Sequence, residues 1–160
     1  MNLRNRYSIR LEGYDYSKAG IYFITICVKD REPLLGRVEE GILLSSVGSI
    51  IEEQWYILAE RFCNIKLHDF VVMPNHIHGI IEIMWYERAE QSPAPTVGDI
   101  ICVYKSLTTK ICNKKENLKG RVLWQRNYWE HIIRNENEYY KISEYIISNP
   151  LKWQEDKFFC

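Results

Sequence analysis

The pattern of apolar positions along the chain predicts a set of β-strands rich in β-branched and aromatic residues. The clearest runs are IYFITICV (21–28), IKLHDFVVM (65–73) and HIHGIIEIM (76–84), followed by RVLWQ (121–125) and YWEHIIR (128–134). The second and third of these runs meet at a Pro-Asn dipeptide, which is typical of a tight turn. Gly36 and Gly41 punctuate residues 33–45 and predict a short hairpin there.

Apolar residues at spacings of three and four predict three amphipathic helices. The first covers 45–62, with Ser45 or Ser46 as its N-cap, and the second covers 97–115. The third covers 137–149, where Pro150 stops the helix. A polar connection at 87–98 contains two prolines, and we expect a flexible loop there.

The order of these elements predicts the fold. It is close to βαββαβ, with a hairpin inserted after the first strand and a helix added at the end. We therefore predict an α+β fold, a ferredoxin-like antiparallel sheet with helices on one face plus a C-terminal helix. The strand pair at 65–84 is central in such a sheet. At 160 residues the chain is expected to form a single domain, 1–160.

The formal net charge is zero, but the charges are unevenly distributed. Residues 102–134 carry 8 Lys or Arg against 2 Asp or Glu, whereas residues 32–101 carry 4 against 11. Such a basic segment can bind phosphates locally, although a solvated helix face accounts for it equally well.

The five cysteines form no C-x-x-C pair, which argues against a zinc knuckle. No apolar run reaches the roughly 18–20 residues needed to span a bilayer, and no signal-peptide core is present, so we expect a cytoplasmic protein.

Two histidines stand one residue apart in the segment VMPNHIHGI (72–80). Because successive side chains of a strand alternate between its faces, His76 and His78 point the same way, about 7 Å apart along the chain. Two neutral imidazoles in this arrangement can hold a divalent cation if another donor and an open position are supplied. Alternatively, hydrogen bonds satisfy both rings and the pair is structural.

The final helix carries two further candidates. Ile142, Tyr145, Ile146 and Asn149 fall at spacings of three and four, so they share a face. Burial of the two isoleucines turns Tyr145 and Asn149 toward the protein, where polar groups need partners. Asn149 offers a carbonyl oxygen suited to Mg²⁺ or Mn²⁺, and Tyr145 would be a nucleophile beside a metal-bound phosphate. The alternative for Tyr145 is a core tyrosine whose hydroxyl is hydrogen-bonded.

Three blocks of the sequence resemble a known family in their order and spacing. They are VVMPNHIHGII (71–81), VLWQRNYWEHIIRNENEY (122–139) and EYIISNP (144–150). Together they resemble the small single-tyrosine transposases of the HUH superfamily, those of the IS200/IS605 type and the related REP-associated tyrosine transposases. The similarity runs from about residue 20 to residue 151.

The resemblance implies a role for each matching residue. His76 and His78 match the paired metal-binding histidines, and Asn149 occupies the place of the third ligand. Tyr145 matches the nucleophile that attacks single-stranded DNA, becomes linked to the 5′ phosphate and frees a 3′ hydroxyl. His131 is either a hydrogen-bonded strand histidine or a residue near the metal.

The function implied is a DNA transposase that recognises hairpin DNA and cleaves and rejoins single strands through a 5′-phosphotyrosine. The implied cofactor is Mg²⁺ or Mn²⁺, and the implied assembly is a monomer or a homodimer. We expect DNA contacts from Lys105, Lys110, Arg126 and Arg134 in the basic segment. The alternative is a domesticated, non-catalytic protein that binds hairpin DNA or RNA. A phosphoesterase with paired H-x-[ST] motifs is disfavoured, because the chain contains neither H-x-S nor H-x-T.

Overall fold

Six strands and three α-helices make up the part of the chain that the structure, a computed structural model, describes, namely residues 19–84 and 94–159. In chain order they are β1 (Gly20–Cys27), β2 (Gly36–Val38), β3 (Ile42–Leu44), α1 (Ser46–Arg61), β4 (Ile65–Met73), β5 (His76–Ile83), α2 (Val97–Lys115), β6 (Trp129–Ile133) and α3 (Glu136–Ser148). A 3-10 helix (Asn149–Glu155) continues from α3, and a shorter one (Lys29–Arg31) follows β1. Within the described ranges, no helix is long and apolar enough to cross a membrane. Much of the loop predicted at 87–98 falls within residues 85–93, outside the described residues.

Four of the strands form one antiparallel sheet in the order β4-β5-β1-β6, while β2 and β3 pair in a separate hairpin. Without the hairpin, this order is that of a βαββαβ sheet, so the predicted α+β, ferredoxin-like fold is confirmed. The strand that carries the histidine pair, β5, lies inside the sheet with β4 on one side and β1 on the other. Its backbone is therefore held by ladder hydrogen bonds along both edges. β4 lies at the edge of the sheet, so the prediction that both strands of the pair at 65–84 are central is wrong for β4.

Different helices cover the two faces of the sheet. Ile77 of β5 belongs to the large core that also contains Trp55 of α1. Ile80 of β5 belongs to a smaller cluster that contains Ile146 of α3. Because side chains alternate along a strand, His78 shares the face of Ile80 and lies on the α3 side of the sheet.

The helix boundaries follow the capping residues in the sequence. Ser45 is the N-cap of α1, and its side chain accepts a hydrogen bond from the Gly48 N–H at 3.0 Å. Thr96 and Asp99 form a capping box at the start of α2, which spans the predicted range. Asn135 caps α3 by accepting from the Glu138 N–H at 2.9 Å. Each cap satisfies an N–H group that the first helical turn leaves unpaired.

The prediction of a strand at 121–125 is wrong. In this segment only Trp124 forms a β-bridge, with Val28. The Trp124 indole N–H donates to Thr108 Oγ1 of α2 at 2.8 Å, and both side chains are buried. Trp124 therefore packs against a helix while Val122 is exposed, and an extended apolar run does not distinguish this arrangement from a strand.

Candidate active site

The two imidazoles of β5 converge on one point beneath α3. His76 and His78 are 0% and 1% exposed, and their Nε2 atoms lie 3.0 Å apart. Two nitrogen donors that bind one ion at about 2.1 Å and at right angles to each other are separated by about 3.0 Å. The spacing of the two Nε2 atoms is therefore compatible with a shared cation.

Neighbouring polar groups orient both rings. The Asn75 amide donates through Nδ2 to the Phe158 carbonyl at 2.8 Å, so its Oδ1 accepts the Nδ1–H of His76 at 2.8 Å. This assignment leaves a lone pair on His76 Nε2. His78 Nδ1 lies 2.8 Å from Oγ1 of Thr25, which is its direct partner on β1. A hydroxyl both donates and accepts, so Thr25 can support either tautomer of His78.

Burial keeps both imidazoles neutral. It lowers the pKa of His76 to about 4, against a smaller opposing effect of the Asp156 charge. Burial, followed by the neighbouring His76, holds the pKa of His78 well below its usual value. Since only a neutral imidazole offers a lone pair to a metal, both rings are ready to ligate at neutral pH.

Two contacts with β4 dock the helix that carries the tyrosine. A register shift in β4 lies at His68 and Asp69, and both side chains contact α3. His68 Nδ1 lies 3.0 Å from the hydroxyl of Tyr139, and the Ser143 hydroxyl donates to the Asp69 carboxylate. The two helix residues are four positions apart, so they lie on the same face of α3.

Tyr145 places its phenol at the histidine pair. Its hydroxyl oxygen lies 3.2 Å from His78 Nε2 and 3.4 Å from an oxygen of Asp156, all within one chain. The residue remains 38% exposed, so its hydroxyl lies between the buried imidazoles and the surface. Burial, followed by the Asp156 charge, raises the pKa of Tyr145 to about 12. The phenol is therefore protonated at neutral pH in the absence of a cation.

Asn149, the remaining predicted ligand, is 2% exposed and lies just after α3. Its Nδ2 donates to Asp156 Oδ2 at 2.7 Å. Its Oδ1 is buried without a hydrogen-bond partner among the described residues. Asn149 thus has a free oxygen donor close to the histidine pair's acidic neighbour.

The remaining predicted residues are His131 and four cationic residues, and they differ in exposure and in hydrogen-bond partners. His131 of β6 is exposed, and its Nε2 bonds Glu138 of α3 at 2.6 Å. The ammonium of Lys105 donates to the carbonyls of Gln125 and Arg126 at 2.5 and 3.0 Å, so it ties α2 to the following segment. The remaining three cationic residues are exposed, namely Lys110, Arg126 and Arg134.

Sequence reasoning missed three polar residues of the site. Thr25 and Asn75 orient the imidazoles, and Asp156 contacts both Tyr145 and Asn149. The position of Asn75 in the turn before β5 was a usable signal, because asparagine side chains there often bond neighbouring groups. Asp156 lies in a segment with no periodic pattern, and no local signal marks it.

Comparison with known proteins identifies a family over most of the chain. A family model described as "Transposase IS200 like" matches residues 17–149. An uncharacterized protein of Haemophilus influenzae is 37% identical, covering 98% of this chain and 94% of that protein. The REP-associated tyrosine transposase of Escherichia coli is 26% identical, covering 86% of this chain and 70% of that protein.

Structural comparison identifies the same fold. A REP-associated tyrosine transposase solved with a REP hairpin aligns with a TM-score of 0.60 at 23% identity, covering 92% of this chain and 76% of that chain. The family match extends over the histidine pair, Tyr145 and Asn149. The chain therefore belongs to the IS200-like transposase family.

Proposed function

We propose that this chain is a divalent-metal-dependent transposase that cleaves and rejoins single-stranded DNA, with Tyr145 as its nucleophile. The observation that carries this proposal is the 3.2 Å distance between the Tyr145 hydroxyl and His78 Nε2. Tyr145 is 38% exposed, so it is not a core tyrosine, and its hydroxyl lies where a substrate can reach it. The phenol and the imidazole belong to one chain, so the proposed site is assembled within a single subunit.

The residues present fit a hard divalent cation such as Mg²⁺ or Mn²⁺. His76 and His78 would each supply Nε2, oriented from behind by Asn75 and Thr25. Asn149 would supply the third donor, since its buried Oδ1 lacks a hydrogen-bond partner among the described residues. A buried carbonyl oxygen without a partner is costly, and a bound cation removes that cost.

A cation bound there would polarise the scissile phosphate and stabilise the phenolate, which a phenol with a pKa of about 12 requires. Tyr145 Oη then attacks phosphorus, and a new bond forms between this oxygen and the 5′ phosphate. The bond from phosphorus to the 3′ oxygen breaks. The phenolic proton is released and the departing 3′ oxygen takes up a proton. Rejoining reverses these steps with another 3′ hydroxyl.

The proposed substrate is DNA with a hairpin and single-stranded flanks. The related REP-associated tyrosine transposase was solved with a REP hairpin, which supports this choice. Lys152 and Lys157 line a cavity of about 320 Å³ beside Tyr145, where their charges suit phosphate oxygens. Trp129 of β6 is 39% exposed and pairs with Thr25, and its ring can stack on an unpaired base.

The test is formation of a covalent protein–DNA adduct. A pool of labelled DNA hairpins with randomised single-stranded flanks is incubated with the protein and Mn²⁺, then separated on a denaturing gel. We expect an adduct that Tyr145→Phe abolishes and that a chelator prevents. Tyr140→Phe is the matched control, because Tyr140 lies on the same helix and is 59% exposed. Hairpin binding without cleavage, or cleavage without an adduct, would contradict the proposal.

A further inference from the structure

A carboxylate from the segment after α3 reaches the histidine pair. One ligand atom from each of His76, His78 and Asp156 lies within 4.8 Å of the other two. Donors bound to one cation at about 2.1 Å lie about 3.0 to 4.2 Å apart. The three ligand atoms therefore lie near the spacing that one shared cation requires.

Hydrogen bonds hold this carboxylate in place. Asp156 Oδ2 accepts from Asn149 Nδ2 at 2.7 Å, and Asp156 Oδ1 accepts from the Phe158 backbone N–H at 2.7 Å. Phe158 is buried, and its ring centroid lies 4.6 Å from that of His76. Its carbonyl accepts from Asn75, which also orients His76. The segment that carries Asp156 is thus attached to the same groups that orient the imidazoles.

A second observation concerns Asn149. A carboxylate only accepts hydrogen bonds, so the Asn149 side chain must present its NH₂ group to Asp156. Its Oδ1 is then left buried without a partner among the described residues. A residue that contacts the carboxylate through its NH₂ group and keeps a buried, unpartnered oxygen is suited to bind a cation through that oxygen.

We propose that Asp156 is a further protein ligand of the divalent cation, beside His76, His78 and Asn149, and that Nδ2 of Asn149 also positions its carboxylate. This inference rests on the proposed function and deepens it. Two imidazoles, one amide oxygen and one carboxylate oxygen occupy four positions of an octahedral site and leave two open for phosphate oxygens. The carboxylate offsets one positive charge of the cation and supplies a hard oxygen donor, as Mg²⁺ and Mn²⁺ prefer.

The test measures Mn²⁺ binding to the full chain without DNA, by titration calorimetry. We expect Asp156→Asn to weaken Mn²⁺ binding by about tenfold or more, the range typical of groups that support a metal site. Glu155→Gln is the matched control, because Glu155 lines the same cavity and is exposed, and it should bind Mn²⁺ like the wild type. His78→Ala tests the proposed function separately, because it removes a ligand on which that proposal depends.

The outcomes distinguish the two claims. If His78→Ala loses Mn²⁺ binding while Asp156→Asn keeps the wild-type affinity, the assignment of Asp156 is overturned and the proposed metal site stands. If His78→Ala binds Mn²⁺ normally, the proposed metal site itself is overturned. Thermal unfolding of each variant in chelator identifies any loss of binding that is due to loss of structure.

A second variant makes the test direct. Asp156→Cys is titrated with Co²⁺, because a coordinated thiolate produces a near-ultraviolet charge-transfer band. The wild type, with its own cysteines, is the blank. A band beyond that blank supports coordination by residue 156, and its absence at saturating Co²⁺ overturns the assignment.

Discussion

At the scale of single residues, neighbouring positions of β5 face different surroundings because the strand has two faces. His78 faces α3 and the candidate site, whereas Gly79 faces the large core. A Cβ atom built on Gly79 would lie 2.3 Å from Cζ2 of Trp55, so the indole ring occupies the space of a side chain. A bulkier apolar side chain at position 79 would collide with this ring. The packing of Trp55 in the core therefore accounts for the glycine.

We predict that Gly79→Ala destabilises the protein by about 1–3 kcal/mol, because the added methyl group forces the buried indole to move. Urea unfolding measures the change. The double variant Gly79→Ala, Trp55→Leu should be less destabilised than the sum of the two single variants, since the smaller side chain removes the clash. A Gly79→Ala protein within about 0.5 kcal/mol of the wild type would show that the indole is not confined.

The neutral state of the buried imidazoles leads to a prediction for the pH dependence of stability, measured on protein kept in chelator. The pKa of His76 is about 4 in the folded protein and about 6.5 when unfolded. A depressed folded pKa means that this contribution to stability is present above pH 6.5 and is lost as the pH falls toward 4. We expect the free energy of unfolding to fall by about 2 kcal/mol between pH 7.5 and pH 5 from this group.

His76→Gln is the comparison, because it removes the titrating ring. Urea unfolding at several pH values should give a flatter profile for this variant than for the wild type. If the free energy of unfolding depends on pH equally in the variant and the wild type, the acid sensitivity is due to groups other than His76.

At the scale of elements, the docking of α3 on β4 decides where the phenol lies. Both docking contacts use polar groups, at Tyr139 and Ser143, and Tyr145 follows within one turn. Asn135 caps the start of the helix, and Ile146 anchors it on the sheet. The position of the Tyr145 phenol therefore depends on contacts between residues that are far apart in the chain.

We predict that Ser143→Ala destabilises the protein by about 1–2 kcal/mol, because it removes a hydrogen bond to a charged carboxylate. Urea unfolding measures this change, and hydrogen exchange should show faster opening of α3 amides. Ser148→Ala is the matched control, since within residues 19–84 and 94–159 its hydroxyl bonds only the Tyr145 carbonyl of its own helix, at 3.5 Å. Equal effects of the two variants would contradict a docking role for Ser143.

At the scale of the whole molecule, the charges are segregated although they sum to zero. The basic residues of 102–134 differ in whether their charged groups bond the protein or face solvent. Lys105 donates to two backbone carbonyls, and burial lowers its pKa, whereas Lys110 is exposed. A cation already bound to carbonyl groups has less to offer to a phosphate than one facing solvent.

We predict that Lys110→Gln weakens binding of hairpin DNA and lowers the slope of log affinity against log salt concentration by about 1, as expected for one lost phosphate contact. Lys105→Gln should leave that slope unchanged and reduce stability instead. Fluorescence anisotropy of a labelled hairpin at several salt concentrations measures the slopes. A lower slope for Lys105→Gln than for Lys110→Gln would reverse the assignment.

Much of this architecture follows from local patterns. The two-residue alternation of the strands and the three-to-four spacing of the helices predict β4, α1 and α2 almost to the residue, because each period reflects the geometry of its own backbone. The same patterns place His76 and His78 on one face of β5. They fail at 121–125, where Trp124 forms an isolated β-bridge and contacts α2.

The sequence by itself determined the order of elements, the pairing of the two imidazoles and the candidates Tyr145 and Asn149. Only the tertiary structure decided that Thr25 and Asn75 orient those rings, that Asp156 joins them, and that Lys105 binds carbonyls. The physical reason is the range of the interactions. Backbone periodicity acts over a few residues, whereas the hydrogen bonds of a buried polar cluster join positions that become neighbours only when the sheet and its helices pack.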